Sequence, residues 1–133
     1  MTVLIDPHNP AYVLGVKSMD ETHFEFIELI NQLGAAKSKV LFIKLFIKLF
    51  VHIEAHFEAE NQLMMQTGFP AKHEHMAEHL RILGELNRLL EKKLAKGSTM
   101  MAQSYINEHI PEWFTLHVAT MDSALAAHIK AQE

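Results

Sequence analysis

Apolar positions recur at helical spacing along four long stretches of the chain, and short runs of turn-forming residues separate these stretches. The pattern predicts helices over about 20–36, 39–66, 71–95 and 98–131, preceded by an irregular arm over residues 1–19. Short loops between four helices favour an all-α, up-down-up-down four-helix bundle. We therefore expect one domain over residues 1–133.

Single residues indicate where some of these predicted helices begin, end or bend. Asp20 is a plausible N-cap for the first helix, and Gly68 followed by Pro70 is typical of the end of the second. Pro111 lies inside the fourth helix, where it removes one backbone hydrogen bond and predicts a kink.

One segment, VLFIKLFIKLFV over residues 40–51, is almost wholly apolar. It is shorter than the roughly 20 apolar residues that a membrane-spanning helix needs, and Lys44 and Lys48 interrupt it. No turn residue separates it from the next helical pattern. A buried bundle helix is the favoured interpretation over a helix lying on a membrane surface, because the charged face is thin.

Composition limits the chemistry. The chain has no cysteine, so any metal must be held by imidazole and carboxylate groups. The formal net charge of −4 argues against nucleic-acid binding. The first residues lack the basic and apolar regions of a signal peptide, so we expect a cytoplasmic protein without membrane insertion.

Five histidines and two carboxylates interrupt the apolar faces of all four predicted helices. Buried polar groups are costly without partners, and so many on facing helices indicate a shared metal site. The spacing of five residues between His117 and Asp122 would separate the two side chains by roughly 140° on a regular α-helix, so we expect a local π-turn there. The seven candidate ligands are His23, His56, Glu60, His75, His79, His117 and Asp122.

Four stretches together resemble the hemerythrin family, in particular the single-domain bacterial hemerythrins. These stretches are MDETHFEFIELIN around His23, HFEAENQLM from His56, FPAKHEHMAEH from Phe69 and WFTLHVATMD from Trp113. No single stretch is specific, but their joint order and spacing are. The resemblance extends from about Val13 to Leu125.

The resemblance implies a cofactor of two iron ions with an oxo or hydroxo bridge. His75, His79 and His117 would then bind one iron, and His23 and His56 the other. Glu60 and Asp122 would bridge the two ions. The implied function is reversible binding of O₂ for storage or delivery, with no catalytic activity, and an oxygen-consuming enzyme is a candidate partner.

The chain departs from the family pattern at three positions. Tyr12 stands where a tryptophan is usual, Asn61 where a second glutamate is common, and His52 where we expect an aromatic residue. His52 could reach the metal pocket as a hydrogen-bond donor or alternative ligand. A histidine at the edge of the bundle beside Lys48 is the favoured interpretation.

Other functions fit the sequence less well than an oxygen carrier. A ferritin-like di-iron enzyme would use Glu-x-x-His pairs, which the sequence lacks. A zinc protease would need His-Glu-x-x-His, but the stretch that begins at His73 has Ala77 in the last position. A module that senses O₂, NO or redox state, or a weak di-iron peroxidase or NO-processing enzyme, stays open as an alternative.

Overall fold

The computed structural model describes residues 3–133, so the first two residues of the predicted arm and domain lie outside the described part of the chain. Helix α1 spans Lys17–Ala35, α2 spans Lys39–Gln66 and α3 spans Lys72–Lys92. A fourth helical run, α4, covers residues 100–131. The helices α1 and α2, and α2 and α3, pack against each other as antiparallel neighbours, and α4 closes the bundle against α1. The predicted all-α bundle is confirmed.

The long apolar helix α2 agrees with its predicted bounds. Ser38 is its N-cap, where its hydroxyl oxygen accepts a hydrogen bond from the amide of Leu41 at 3.1 Å. At its other end Gly68 adopts φ +63°, and the amide of Phe69 donates to the carbonyl of Met64 at 2.9 Å. This left-handed termination is the glycine stop that the sequence predicts.

The start of α1 corrects the sequence prediction. The helix begins at Lys17 with Val16 as its N-cap, so Asp20 is not the cap. Asp20 instead lies in the first turn, where its two carboxylate oxygens accept hydrogen bonds from the amides of Leu14 and Gly15. The carboxylate therefore ties the end of the arm to the helix, and the sequence offered no sign of this contact.

The other helix ends also differ from prediction. The helix α3 stops at Lys92 rather than about residue 95, and a 3₁₀ turn follows over Leu94–Lys96 before Gly97 at φ +80°. The helix α4 contains two π-helical turns, at Tyr105–His109 and Val118–Asp122. The first of these lies directly before Pro111, which cannot donate to a carbonyl in the preceding turn.

Apolar side chains form two clusters along the bundle axis. The larger fills the half of the bundle towards the α1–α2 loop, and Phe46, Leu49, Ile53 and Leu86 in it are fully buried. The smaller lies near the α2–α3 loop and consists of Met19, Met64, Phe69, Leu125 and Ala126. Between the two clusters runs a layer of buried polar side chains. Within residues 3–133, no helix combines the length and apolarity that crossing a bilayer requires.

The N-terminal arm is fixed to α1 mainly through Asn31. The amide oxygen of this side chain accepts hydrogen bonds from the backbone amides of Leu4 and Ile5, at 2.8 and 3.0 Å, and its nitrogen donates to the Ile5 carbonyl at 2.9 Å. This arrangement places Ile5 in the core, where it is 3% exposed.

We predict that Asn31→Ala lowers the free energy of unfolding by about 1–3 kcal/mol, because two partly buried amides lose their acceptor. Urea denaturation measures this loss, and hydrogen exchange at Leu4 and Ile5 should accelerate. The matched control is Gln32→Ala, since Gln32 is exposed on the same helix. Equal stability of the two variants would contradict the role of Asn31.

Candidate metal centre

The polar layer contains all seven residues that the sequence singled out, and each is buried. Their exposed fractions run from 1% for His23 to 6% for His56. The helix α1 supplies His23, α2 supplies His56 and Glu60, α3 supplies His75 and His79, and α4 supplies His117 and Asp122. The structure therefore brings the seven residues into one site.

A π-helical turn over Val118–Asp122 allows α4 to contribute two groups to the site. Because this turn is wider than an α-helical turn, Asp122 faces the same side as His117, and its Oδ1 lies 3.1 Å from His117 Nε2. The π-turn that the spacing predicted is confirmed.

Two sets of donor atoms share the two carboxylates. Glu60 Oε1 lies 3.2 Å from His79 Nε2 and 3.3 Å from His75 Nε2, and Asp122 Oδ1 lies 3.0 Å from the same His75 nitrogen. Together with His117, these residues form the first set.

The second set uses the remaining carboxylate oxygens. Glu60 Oε2 lies 2.6 Å from His56 Nε2, and Asp122 Oδ2 lies 2.9 Å from His23 Nε2. Each carboxylate thus directs one oxygen to each set, as a bridge between two neighbouring metal ions would.

The metal-facing atoms of the first set are buried but lack hydrogen-bonding partners. Across residues 3–133, eight buried side-chain atoms lack a hydrogen-bonding partner, and all eight belong to the seven clustered residues. Five of the eight are the donors of the first set, namely Glu60 Oε1, Asp122 Oδ1 and the Nε2 atoms of His75, His79 and His117. Two ligands about 2.1 Å from one metal ion and at right angles to each other lie about 3.0 Å apart, so these spacings fit a shared cation. The residues fit a bound metal.

The electrostatics of the cluster also favour positive charge between the carboxylates. Burial and the neighbouring Asp122 raise the pKa of Glu60, but His56, His75 and His79 outweigh both, so the pKa lies well below its usual range. Burial also raises the pKa of Asp122, and His117, His23 and His75 reverse the shift. Both carboxylates therefore stay ionised and hold positive charge beside them.

The imidazoles divide according to their contacts with the carboxylates. Burial lowers the pKa of His75, but Asp122 and Glu60 together raise it to about 9. Burial lowers the pKa of His23 as well, and Asp122 again reverses the shift to a raised value. For His79 burial dominates over the contact with Glu60, and its pKa is lowered. In the metal-free protein a proton on His75 thus supplies the charge that a bound cation would provide.

Neighbouring side chains orient the imidazoles. His79 Nδ1 donates a hydrogen bond to Asn61 Oδ1 at 3.0 Å, which leaves the Nε2 lone pair of His79 facing Glu60. The ring of Trp113 stacks on His117 with centroids 4.5 Å apart, and its Nε1 donates to Glu78 Oε1 at 2.8 Å. Asn61 stands out in the sequence only as a departure from the family pattern, and its contact with the next helix could not be inferred from spacing.

His52 lies at the edge of the site and belongs to neither donor set. Its side chain is 15% exposed, and its Nε2 is 3.3 Å from the carbonyl oxygen of Thr22 on α1. Burial lowers its pKa. The interpretation as a histidine at the edge of the bundle is confirmed.

Comparison with known proteins agrees with this geometry. The family model described as the hemerythrin HHE cation binding domain matches residues 14–131. The chain belongs to the hemerythrin family. A bacteriohemerythrin of Ralstonia nicotianae is 34% identical over 112 residues, which cover 84% of this chain and 80% of the relative. No solved structure matches the chain.

Within this hemerythrin-family fold, Tyr12 holds the arm against the site. Thr115 donates its hydroxyl hydrogen to the Pro111 carbonyl, so the Tyr12 hydroxyl must donate to Thr115 Oγ1, at 2.9 Å. The Tyr12 ring packs on Phe114 with centroids 5.1 Å apart, and Phe114 in turn contacts His23 edge-on at 5.5 Å. A tyrosine therefore links the arm to a residue that lines the cluster.

We predict opposite pH dependences for the metal-free and metal-loaded protein. A raised pKa of about 9 for His75 means that its stabilising effect is complete below pH 6.5 and is lost as the pH rises through 9. The metal-free protein should lose on the order of 3 kcal/mol over this window. Urea denaturation in the presence of a chelator measures the loss.

Metal affinity should instead rise over the same window, because a metal ion displaces the proton from each imidazole that it binds. The lowered pKa of His79 affects stability below pH 6.5. There the unfolded state takes up a proton at this imidazole more readily than the folded state, so the folded state loses stability as the pH falls. A flat stability profile between pH 6.5 and 9 in the metal-free protein would contradict the assignment to His75.

Proposed function

We propose that this protein binds O₂ reversibly at a di-iron centre held by the seven clustered residues. One observation supports the proposal above the others. Glu60 and Asp122 each divide their two oxygens between two sets of imidazoles, as bridging carboxylates between two cations would. The three-histidine set is His75, His79 and His117, and the two-histidine set is His23 and His56.

The number of donors differs between the two sets. The three-histidine set provides five protein ligands, counting one oxygen from each carboxylate. The two-histidine set provides His23, His56 and Glu60, and Asp122 Oδ2 beside His23 would add a fourth ligand. The first set therefore offers one more protein ligand than the second. An exogenous ligand would accordingly find room beside His23 and His56.

Iron is the proposed metal because imidazole and carboxylate ligands suit it and O₂ binding needs a redox-active ion. Two ferrous ions at the site would together supply two electrons to O₂ in a reversible reaction. Five imidazoles and only two carboxylates donate less electron density than a carboxylate-rich site, which favours binding of O₂ over cleavage of its O–O bond. We therefore infer an oxygen carrier for storage or delivery to an oxygen-consuming enzyme, and not a catalyst.

Apolar side chains around the site keep water and protons out. Phe57 stacks on His79 with ring centroids 3.9 Å apart, and Phe26 stacks on Phe114 at 4.6 Å. These aromatic residues are at most 3% exposed. An apolar lining of this kind would limit the access of water and protons to a bound metal centre, which favours reversible binding of O₂.

The proposal is tested by iron analysis and optical spectra of the purified protein. Spectra are taken reduced under argon, after exposure to air, and again under argon. We expect two irons per chain and a visible charge-transfer band that forms in air and fades when O₂ is removed. A band that never reverses would contradict a carrier and favour a redox sensor or enzyme, and absence of iron would refute the di-iron proposal.

We predict that His75→Ala loses metal and lowers the melting temperature of the iron-loaded protein, because two buried carboxylates lose a shared neighbour. The matched control is His73→Ala, which changes an exposed histidine in the same turn of α3. Iron content and thermal unfolding measure both effects. An unchanged iron stoichiometry in His75→Ala would count against this residue as a ligand.

A further inference from the structure

Positive charge is concentrated at the end of the bundle farthest from the metal cluster. Residues 36–48, around the α1–α2 loop, and residues 88–101, around the loop before α4, contain eight of the twelve lysines and arginines but only one of the sixteen acids. We call these two segments the basic end. Its formal charge is +7, whereas the rest of the chain has −11.

The two segments meet in space. A cleft of about 410 Å³ lies between them, lined on one side by Lys37 and Lys39 and on the other by Ser98, Met100 and Gln103. Segments that are some 50 residues apart in the sequence thus form one surface. Acids lie at its border on α1, where Glu25 and Glu28 line a second pocket together with Lys48.

The cations of the basic end are available to a partner. In the described chain, none of them forms a salt bridge. All are exposed except Lys93, which is half-buried. The eight are Lys37, Lys39, Lys44, Lys48, Arg88, Lys92, Lys93 and Lys96. By contrast, Lys17 and Arg81, which lie outside this end, pair with neighbouring glutamates.

Large apolar side chains stand exposed among these cations. Val40 is 76% exposed, Met100 78% and Met101 54%, and Leu41 and Ile47 are about half exposed. Lone exposed apolar residues are ordinary, but apolar side chains interspersed with unpaired lysines on one face are typical of surfaces that bind membranes.

We propose that the basic end docks on an anionic phospholipid surface. The lysines would contact the headgroups, while Met100, Met101 and Val40 would enter the boundary with the acyl chains. Nucleic acid is a poorer fit, because in residues 36–48 and 88–101 no aromatic side chain is exposed between the cations to stack on a base. This docking would be peripheral, and it goes beyond the proposed O₂ binding.

The experiment is co-sedimentation of the untagged, full-length, metal-loaded protein with lipid vesicles. One set contains phosphatidylcholine alone, and the other contains phosphatidylcholine and phosphatidylglycerol at two to one. We expect binding to the anionic vesicles alone, and weaker binding in 0.5 M NaCl, where the Debye length falls to roughly 4 Å.

Two pairs of variants separate charge from apolar contact. Lys37→Gln with Lys39→Gln should weaken partitioning by about fivefold per lysine. The control is Lys17→Gln with Lys72→Gln, which removes two cations at the opposite end of the bundle. Met100→Gln with Met101→Gln should weaken partitioning by roughly tenfold, and its control is Met65→Gln, an exposed methionine on α2.

The outcomes distinguish the possible occupants. Loss of binding in both test pairs, with both controls intact and melting temperatures unchanged, would support the proposal. No binding to anionic vesicles would overturn it. Binding that depends on the lysines but not on the methionines would overturn the entry of Met100 and Met101 into the acyl-chain boundary, because it would show a purely electrostatic contact. The O₂ spectrum should be the same in all variants, so failure of this proposal leaves the O₂ proposal untouched.

Discussion

The burial of two carboxylates among five imidazoles constrains the rest of this structure. Glu60 and Asp122 are 2% and 1% exposed, and a buried charge is tolerated only beside a compensating one. No single helix could supply enough partners, so all four helices must converge at this level of the bundle. The larger apolar cluster on one side and the smaller on the other hold the helices in that register. The stability of the fold and the geometry of the site therefore depend on the same contacts between helices.

The irregular helix α4 shows how the backbone adapts to that demand. An unbroken α-helix would turn Asp122 away from His117, and the carboxylate would then lack its contacts with His23 and His75. The π-turn at Val118–Asp122 costs regular hydrogen bonding but places both side chains on the inner face. The turn at Tyr105–His109 has a different cause, since it precedes Pro111, whose ring excludes a regular helical bond. Two deviations in one helix thus have two physical origins.

Much of this architecture could be predicted from local pattern. The bounds of α2 followed from Gly68 and continuous periodicity, and the π-turn followed from the spacing of His117 and Asp122. What local pattern could not predict were contacts between distant segments. Asp20 was expected to cap its own helix and instead binds the amides of Leu14 and Gly15. The sequence also marked all seven clustered residues, and the resemblance to the hemerythrins implied that Glu60 and Asp122 bridge two sets of histidines. Spacing alone could not give this division, because it depends on side-chain rotamers and helix register.

The basic end illustrates the same limit at a larger scale. Residues 40–51 alone show two lysines in an apolar run, which is too little charge for a surface helix. The charge becomes substantial only because the bundle places residues 88–101 beside that run, across the cleft that Lys39 and Met100 line. Glu60 and Lys39 lie at opposite ends of α2, separated by about 30 Å at 1.5 Å per residue. A surface bound at the basic end would therefore leave the region around His23 and His56 facing away from it, so neither end constrains the chemistry of the other.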